Sequence, residues 1–187
     1  MNIALRQPMS RDAFLDWADT QDDAWEFDGQ APVGMTGGTA IHSRLQRRLM
    51  RLLEDKLAGS PCEAFGPDLG VATVGDAVRF PDALVACGGT SNPSKLAAGV
   101  VVVFEVLSPG SGHTDRIVKV REYGAVPTIQ RYVIVEQDKV GLTVLERSDG
   151  GGWRASILTA GELRMPEIGI ALGVAELYDG LGVPDAG

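Results

Sequence analysis

The clearest pattern in the chain is a run of apolar residues with helical spacing over residues 39–58. Successive residues of an α-helix are rotated by about 100°, and this rotation brings the apolar side chains onto one face. The members of that face are Ile41, Leu45, Leu49, Leu52 and Leu53. Because Gly59, Ser60 and Pro61 end the pattern, the sequence predicts a long amphipathic helix packed against a core.

Two shorter helices are predicted from the same kind of pattern. One covers residues 11–19, with Ser10 as its N-cap. The other covers residues 114–124, where the spacing predicts that Ile117 and Val120 face the core.

The remaining apolar segments are short, rich in β-branched residues and bounded by turn residues, which is typical of strands. The predicted strands are residues 25–27, 63–74, 78–87, 100–107, 131–136, 142–147 and 153–158, with a short helix at 173–178. Glycine-rich loops are expected at 35–39, 88–99 and 108–112. This order predicts an α/β or α+β fold, with a mixed central sheet flanked by helices, in a single domain over residues 1–187.

The net charge of the 187-residue chain is −8, from 17 Lys and Arg against 25 Asp and Glu. A basic, histone-like coat for DNA is therefore excluded, and contact with a polyanion needs a local patch or a metal ion. Seven acids lie in the first 28 residues: Asp12, Asp16, Asp19, Asp22, Asp23, Glu26 and Asp28. Basic side chains gather on one face of the predicted helix 39–58: Arg44, Arg47, Arg48 and Arg51. That face is either solvated or the phosphate-contacting edge of a cleft.

The chain has two cysteines, Cys62 and Cys87, which are too few for a disulfide framework and are typical of a reducing compartment. The first ten residues do not resemble a signal peptide, and the most apolar run is only eight residues long. We therefore expect a cytoplasmic protein with no membrane association.

Two carboxylates occur where the sequence is otherwise apolar. Glu105 interrupts the β-branched run 100–107, and Asp82 opens an apolar segment after Pro81. A buried carboxylate is costly unless it is paired or holds a metal, and two at the ends of neighbouring strands repel each other unless a divalent cation lies between them. The open alternatives are that Glu105 reaches solvent or pairs with Arg121, and that Asp82 caps a turn.

A lysine completes this set of candidates. Asp115, Lys119 and Tyr123 are spaced by four residues and therefore share one face of the predicted helix 114–124. An acid pair, a metal and a lysine are the minimum for metal-assisted phosphodiester hydrolysis. The alternative for Lys119 is a solvated helix position.

Five segments together resemble the Uma2 family, a large bacterial group of endonuclease-like proteins in the PD-(D/E)XK restriction-endonuclease-like superfamily. They are EVLSPGSGHTDRIVKVREYGAVPTIQRYVIVEQ (105–137), RFPDALVAC (79–87), CEAFGPDLGV (62–71), GGTAIHSRLQRRL (37–49) and WEFDGQ (25–30). The resemblance spans residues 9–180. It rests on the combination of PD, E-V-L-S-P and D-x-x-x-K-x-x-x-Y.

The resemblance implies a restriction-endonuclease-like core with an additional β-hairpin, and a Mg²⁺- or Mn²⁺-dependent endonuclease acting on DNA. By position, Asp82 and Glu105 match the two metal-ligating acids. Lys119 matches the catalytic lysine, and Glu26 matches an N-terminal acid that touches the metal water or a second ion. The candidates for substrate contact are His42, Arg44, Arg48 and Tyr123.

The chain departs from the family pattern in four places. The superfamily lysine normally stands two residues after the second acid, where this chain has Leu107. The segment around Glu26 is one residue shorter than usual, and Pro67 replaces a common serine. An inserted-looking glycine alters the loop around Ser111.

Three functions remain as hypotheses. The first is the metal-dependent DNA endonuclease, and the second is a non-catalytic nucleic-acid- or protein-binding module on a nuclease fold. The third is a metal-dependent hydrolase of another phosphoester. A homodimer is expected, since restriction-like folds often pair and the apolar hairpin 142–158 offers a surface.

Overall fold

A computed structural model describes residues 9–35, 37–107 and 114–186. Its centre is a six-stranded sheet of order β10-β9-β8-β7-β6-β3, in which β7 and β8 are parallel and the other neighbours antiparallel. These strands are β3 Glu63–Phe65, β6 Ala83–Ala86, β7 Val100–Val106, β8 Arg131–Val135, β9 Leu142–Arg147 and β10 Trp153–Leu158. The predicted mixed sheet and the predicted hairpin, which is β9-β10, are confirmed.

Two smaller antiparallel sheets lie beside the central one. The four-stranded sheet has the order β2-β1-β5-β4, and the other pairs β11 with β12. Their strands are β1 Trp25–Phe27, β2 Pro32–Gly34, β4 Val71–Ala72, β5 Val78–Arg79, β11 Glu162–Met165 and β12 Ile170–Gly173. The sequence analysis did not predict the β11-β12 hairpin. It also joined β5 to β6, which Pro81 separates into two different sheets.

The helices are α1 Arg11–Ala18, α2 Ala40–Leu57, α3 Lys119–Gly124 and α4 Val174–Tyr178. Ser10 caps α1 as predicted, and Thr39, predicted as the first residue of the second helix, is its N-cap; each side chain accepts a hydrogen bond from the backbone N–H three residues on. The apolar stripe of α2 is buried as predicted and extends by one turn, through Leu45, Leu49 and Leu53 to Leu57. It packs in the same core as the sheet, β12 and α4.

The helix expected at 114–124 differs from its prediction. A π-helical turn, Thr114–Val118, precedes α3. Ile117, predicted to face the core, is 52% exposed, whereas Asp115, Lys119 and Tyr123 are buried. The polar face of this segment is the inward one because it meets the polar groups of a cleft, which hydrophobic periodicity does not reveal.

The two cysteines also differ from expectation. Cys62 and Cys87 form a disulfide across the β3-β6 pair, with their Cα atoms 4.1 Å apart. The reason is register: Glu63 lies opposite Ala86, so the next residues outward face each other. Two isolated cysteines do not indicate which strands pair, so the sequence alone did not predict this bond.

No helix in the described ranges is both long enough and apolar enough to cross a bilayer. The expected loop 108–112, with Ser111, lies outside the described residues, as does Thr36 in the loop 35–39.

Candidate active site

Strand register brings Asp82 and Glu105 together. Ala83 of β6 lies opposite Phe104 of β7 in an antiparallel pair, so one step along each strand places Asp82 beside Glu105. Asp82 Oδ2 also accepts a hydrogen bond of 2.7 Å from the backbone N–H of Val106. Both acids line a cleft of about 630 Å³. Two carboxylates directly opposite each other repel, so this pairing is unfavourable unless cations compensate it.

The first turns of α2 hold Asp82 from the other side. Gln46 Nε2 donates to Asp82 Oδ1 over 3.1 Å, and His42 Nε2 lies 3.3 Å from Asp82 Oδ2. The hydrogen bond to Asp82 raises the pKa of His42 above its usual value, against the opposing effect of burial. His42 therefore lines the cleft in contact with an acid, and its role in substrate contact stays a prediction.

Lys119 is the cation among the buried acids. Its Nζ lies 2.8 Å from Glu105 Oε1 and 3.3 Å from both Glu26 Oε1 and Asp115 Oδ1. Burial disfavours the charged amine, but the three carboxylates outweigh burial and hold the pKa of Lys119 above its usual value. The carboxylates around Lys119 thus favour its charged form.

Glu105 is 5% exposed and shares its Oε1 between Lys119 and the hydroxyl of Tyr123, which donates over 3.0 Å. Burial raises the pKa of Glu105 to about 8. The positive charge of Lys119 opposes this rise, whereas the neighbouring acids, Asp82 first, add to it. In the metal-free protein Glu105 therefore favours its protonated form near neutral pH, and a further cation beside Asp82 would favour its ionised form. Tyr123, a candidate for substrate contact, is fully buried and holds Glu105.

Arg79 and Glu122 form a second charged group that the sequence analysis missed. Arg79 donates to both oxygens of Glu122, over 2.6 and 2.7 Å, and to Glu26 Oε2 over 3.0 Å. Burial disfavours the guanidinium charge, but these two carboxylates hold the pKa of Arg79 above its usual value. The signal available in the sequence was a cation beside the PD motif, flanked by Val78 and Phe80.

Comparison with known proteins places these residues in a family. The family model described as "Putative restriction endonuclease", Uma2, matches residues 11–177. The chain belongs to the Uma2 family. The Synechocystis sp. protein slr1290 is 32% identical over 177 residues, which cover 92% of this chain and 93% of that protein.

A solved structure shows the same fold as this Uma2 chain. It is the crystal structure of a "putative nuclease belonging to DUF820" from Anabaena variabilis, with a TM-score of 0.67 at 16% sequence identity. The match covers 91% of this chain and 98% of that one. The predicted family and the predicted nuclease-like fold are both confirmed.

The chemistry of the Uma2 site fits a divalent cation. Mg²⁺ commonly binds one or two protein carboxylates and completes its shell with water and phosphate oxygens, and Asp82 and Glu105 supply such a pair. Asp115, 2% exposed, lies in the same cleft, and its Oδ1 contacts Lys119 Nζ without hydrogen-bond geometry. Among residues 9–35, 37–107 and 114–186, no three His, Cys, Asp or Glu side chains form a ready-made metal cage. The acid pair is therefore the candidate site.

The arginine face of α2 divides into two roles. Arg48 donates to the backbone carbonyls of Glu176 and Asp179, over 2.9 and 3.0 Å, and so ties α2 to α4. Arg44 is exposed near the start of the helix. The α2 side chains that line the cleft are His42, Ser43 and Gln46.

Proposed function

We propose that this Uma2 chain is a metal-dependent DNA endonuclease that hydrolyses phosphodiester bonds. The observation that carries the proposal is the side-by-side placement of Asp82 and Glu105 in the cleft, with Lys119 Nζ 2.8 Å from Glu105. The family description and the description of the Anabaena protein support a nucleic acid as the substrate.

The roles follow from charge and position. Asp82 and Glu105 would hold Mg²⁺ or Mn²⁺, which when bound supplies positive charge to the phosphate and lowers the pKa of a water molecule. Lys119 fixes the carboxylate of Glu105 and contributes positive charge next to the negative charge that develops on the phosphate. Glu26 and Asp115 hold Lys119 in place through its Nζ.

The substrate contacts in the proposal come from the start of α2. His42 lines the cleft beside Asp82, and Arg44, which does not line the cleft, is exposed on the same turn of α2; in the proposal both contact phosphate oxygens. Arg48 is occupied by the carbonyls of α4, so its contribution to DNA binding is the smallest of the three.

Cleavage of supercoiled plasmid with Mg²⁺ or Mn²⁺ tests the proposal. We expect nicked and linear products from the wild type, and a loss of rate of about 100-fold or more in Asp82→Asn and Glu105→Gln. Asp55→Asn is the matched control, because Asp55 is an exposed α2 acid paired with Arg51, and it should cleave like the wild type. Equal, faint cleavage by the wild type and Asp82→Asn would refute the nuclease assignment.

The second candidate is a non-catalytic nucleic-acid- or protein-binding module. It is favoured by the position of Lys119, whose ammonium is already in contact with three carboxylates. Calorimetric titration with Mn²⁺ separates the two functions. The nuclease predicts binding heat in the wild type that Glu105→Ala abolishes, whereas the non-catalytic module predicts no heat in either protein.

Assembly and location belong to the same proposal. We propose a homodimer formed through the β9-β10 hairpin, because β10 is the sheet edge and its Ile157 is 77% exposed. Light scattering should then give about twice the chain mass of 19.8 kDa, and Ile157→Lys should return the monomer. A cytoplasmic location is part of the proposal, and it requires the Cys62–Cys87 disulfide to persist in a reducing compartment.

A further inference from the structure

Arg79 joins three elements at one point behind the cleft. Its side chain, on β5, is 4% exposed, and its charged partners come from β1 and α3. The planar guanidinium bonds Glu122 of α3 with two parallel hydrogen bonds and Glu26 of β1 with a third. Such a fork fixes both distance and orientation, which a lysine at the same place would not do.

Both carboxylates that bind Arg79 are also connected to Lys119. Glu26 accepts from Arg79 with Oε2, while its other oxygen, Oε1, lies 3.3 Å from Lys119 Nζ. Glu122 stands three residues after Lys119, so it belongs to the same short helix and nearly the same face. Arg79 therefore fixes one carboxylate oxygen of Glu26 and, through Glu122, the orientation of α3 about its axis.

We propose that Arg79 is the positioning residue of the site, which sets Lys119 against Glu105 through Glu26 and Glu122. The inference rests on the proposed function for its catalytic consequence, but its structural content does not depend on cleavage. Without the guanidinium, Glu26 and Glu122 remain as two poorly solvated carboxylates with no shared cation. Glu26 would then draw Lys119 away from Glu105, because Lys119 is the nearest remaining positive charge.

A buried arginine elsewhere provides the matched control. Arg131 of β8 is 4% exposed and bonds Glu167 with Nε and Nη2, over 2.6 and 3.2 Å, but it does not line the cleft. Arg79→Gln and Arg131→Gln thus remove the same kind of buried, two-point ion pair. Only Arg79→Gln should change the position of the Lys119 side chain.

The first measurement reads Lys119 directly. Acetylation of lysines by an amine-reactive ester, followed by mass spectrometry, should label Lys119 slowly in the wild type because its side chain is 8% exposed. We expect the rate at Lys119 to rise at least about fivefold in Arg79→Gln, as its contacts loosen, and to stay unchanged in Arg131→Gln. Lys139, exposed in the folded protein, corrects for the activity of the reagent, and the buried core is checked by circular dichroism of each variant. An unchanged rate at Lys119 in Arg79→Gln overturns the inference.

The second measurement reads catalysis in a double-mutant cycle with Lys119→Met. Misplacement of a catalytic group by about 1 Å costs about 100-fold, so Arg79→Gln should lower kcat by about 10- to 100-fold with little change in Mn²⁺ affinity. In the Lys119→Met background, Arg79→Gln should have almost no further effect, because its action passes through the lysine. Additive losses overturn the inference.

Glu122→Gln keeps the test valid if Arg79→Gln does not fold. It leaves Arg79 with Glu26 and weakens only the arm to α3, so a smaller change in the same two readouts is expected. If the wild type does not cleave DNA but Lys119 labelling responds as described, the proposed function fails and the positioning role stands. If the wild type cleaves and Arg79→Gln matches Arg131→Gln in both readouts, the positioning role fails alone.

Discussion

Three carboxylates buried to 7% exposure or less share one lysine in the cleft. Glu26, Glu105 and Asp115 all contact Lys119 Nζ, and Asp82 lies beside Glu105 with its own bond to β7. Apolar side chains of similar volume would often make the fold as stable as, or more stable than, such a set of buried charges. Its retention in the interior is the residue-level sign of a functional site.

The raised pKa of Glu105 gives a pH dependence of stability. Its ordinary pKa is 4.5 and its pKa in the folded, metal-free protein is about 8, so the folded chain binds this proton more tightly. Unfolding then releases a proton between these values, and the free energy of unfolding falls as pH rises from 4.5 to about 8. Urea unfolding in EDTA should show this fall in the wild type and a flatter profile in Glu105→Gln. Parallel profiles would contradict the buried carboxyl.

Two buried tyrosines allow a matched test of the hydrogen bond to Glu105. Tyr123 donates to that carboxylate, whereas Tyr132, packed against it, donates to the backbone carbonyl of Asp115. Above pH 8, where Glu105 is ionised, its hydrogen bond is to a charged group and is the stronger, so in urea unfolding Tyr123→Phe should cost about 1.5–3 kcal/mol and Tyr132→Phe about 1 kcal/mol. Plasmid cleavage should fall clearly more in the first variant. Equal losses in both measurements would mean that Tyr123 serves packing alone.

Some site residues could be predicted from the sequence and others could not. Glu105 and Asp82 stand out because each interrupts an apolar segment, which makes a buried charge visible in the pattern. Arg79 carries the same signal but gains its meaning only from Glu26 and Glu122, which are 53 and 43 residues away. Contacts of that range depend on tertiary packing, which the local pattern does not encode.

At the level of elements, prediction succeeded where one face of an element meets the core and the other meets water. The hairpin β9-β10 and helix α2 were predicted with bounds that agree to within one residue at each end. The segment 114–124 was misread because its buried face is polar. Periodicity identifies apolar faces, so it assigns the wrong side to an element that is turned toward an active site.

The disulfide between the start of β3 and the end of β6 gives an element-level prediction. It closes a separation of 25 residues around the segment that contains Asp82, and a loop of this size corresponds to about 3.5 kcal/mol of stabilisation. The double variant Cys62→Ala/Cys87→Ala should lose about this amount in urea unfolding. Thiol titration of the denatured, unreduced wild type should find no free thiol among the two cysteines. Two free thiols would contradict the bond.

At the level of the whole molecule, the charge of −8 opposes DNA, so binding must depend on a few local cations. Each phosphate that a basic side chain neutralises releases counterions from the DNA, which makes the slope of log affinity against log salt more negative by about 0.9. Arg44→Ala should therefore reduce that slope by about one unit in fluorescence-anisotropy titrations with Mn²⁺ held constant. Arg51→Ala, whose partner is Asp55, should leave the slope unchanged. The same slope in all three proteins would exclude Arg44 from the interface.

The π-helical turn Thr114–Val118 has a consequence for how this protein can change over evolution. A π turn bonds residues five apart, one more than an α turn, so it accommodates an extra residue within a helix. Deleting one residue there would leave a continuous α-helix in which Asp115 and Lys119 stand three residues apart and still share a face. A relative without the extra residue could therefore keep the acid and the lysine together, so the length of this segment can vary while the site is retained.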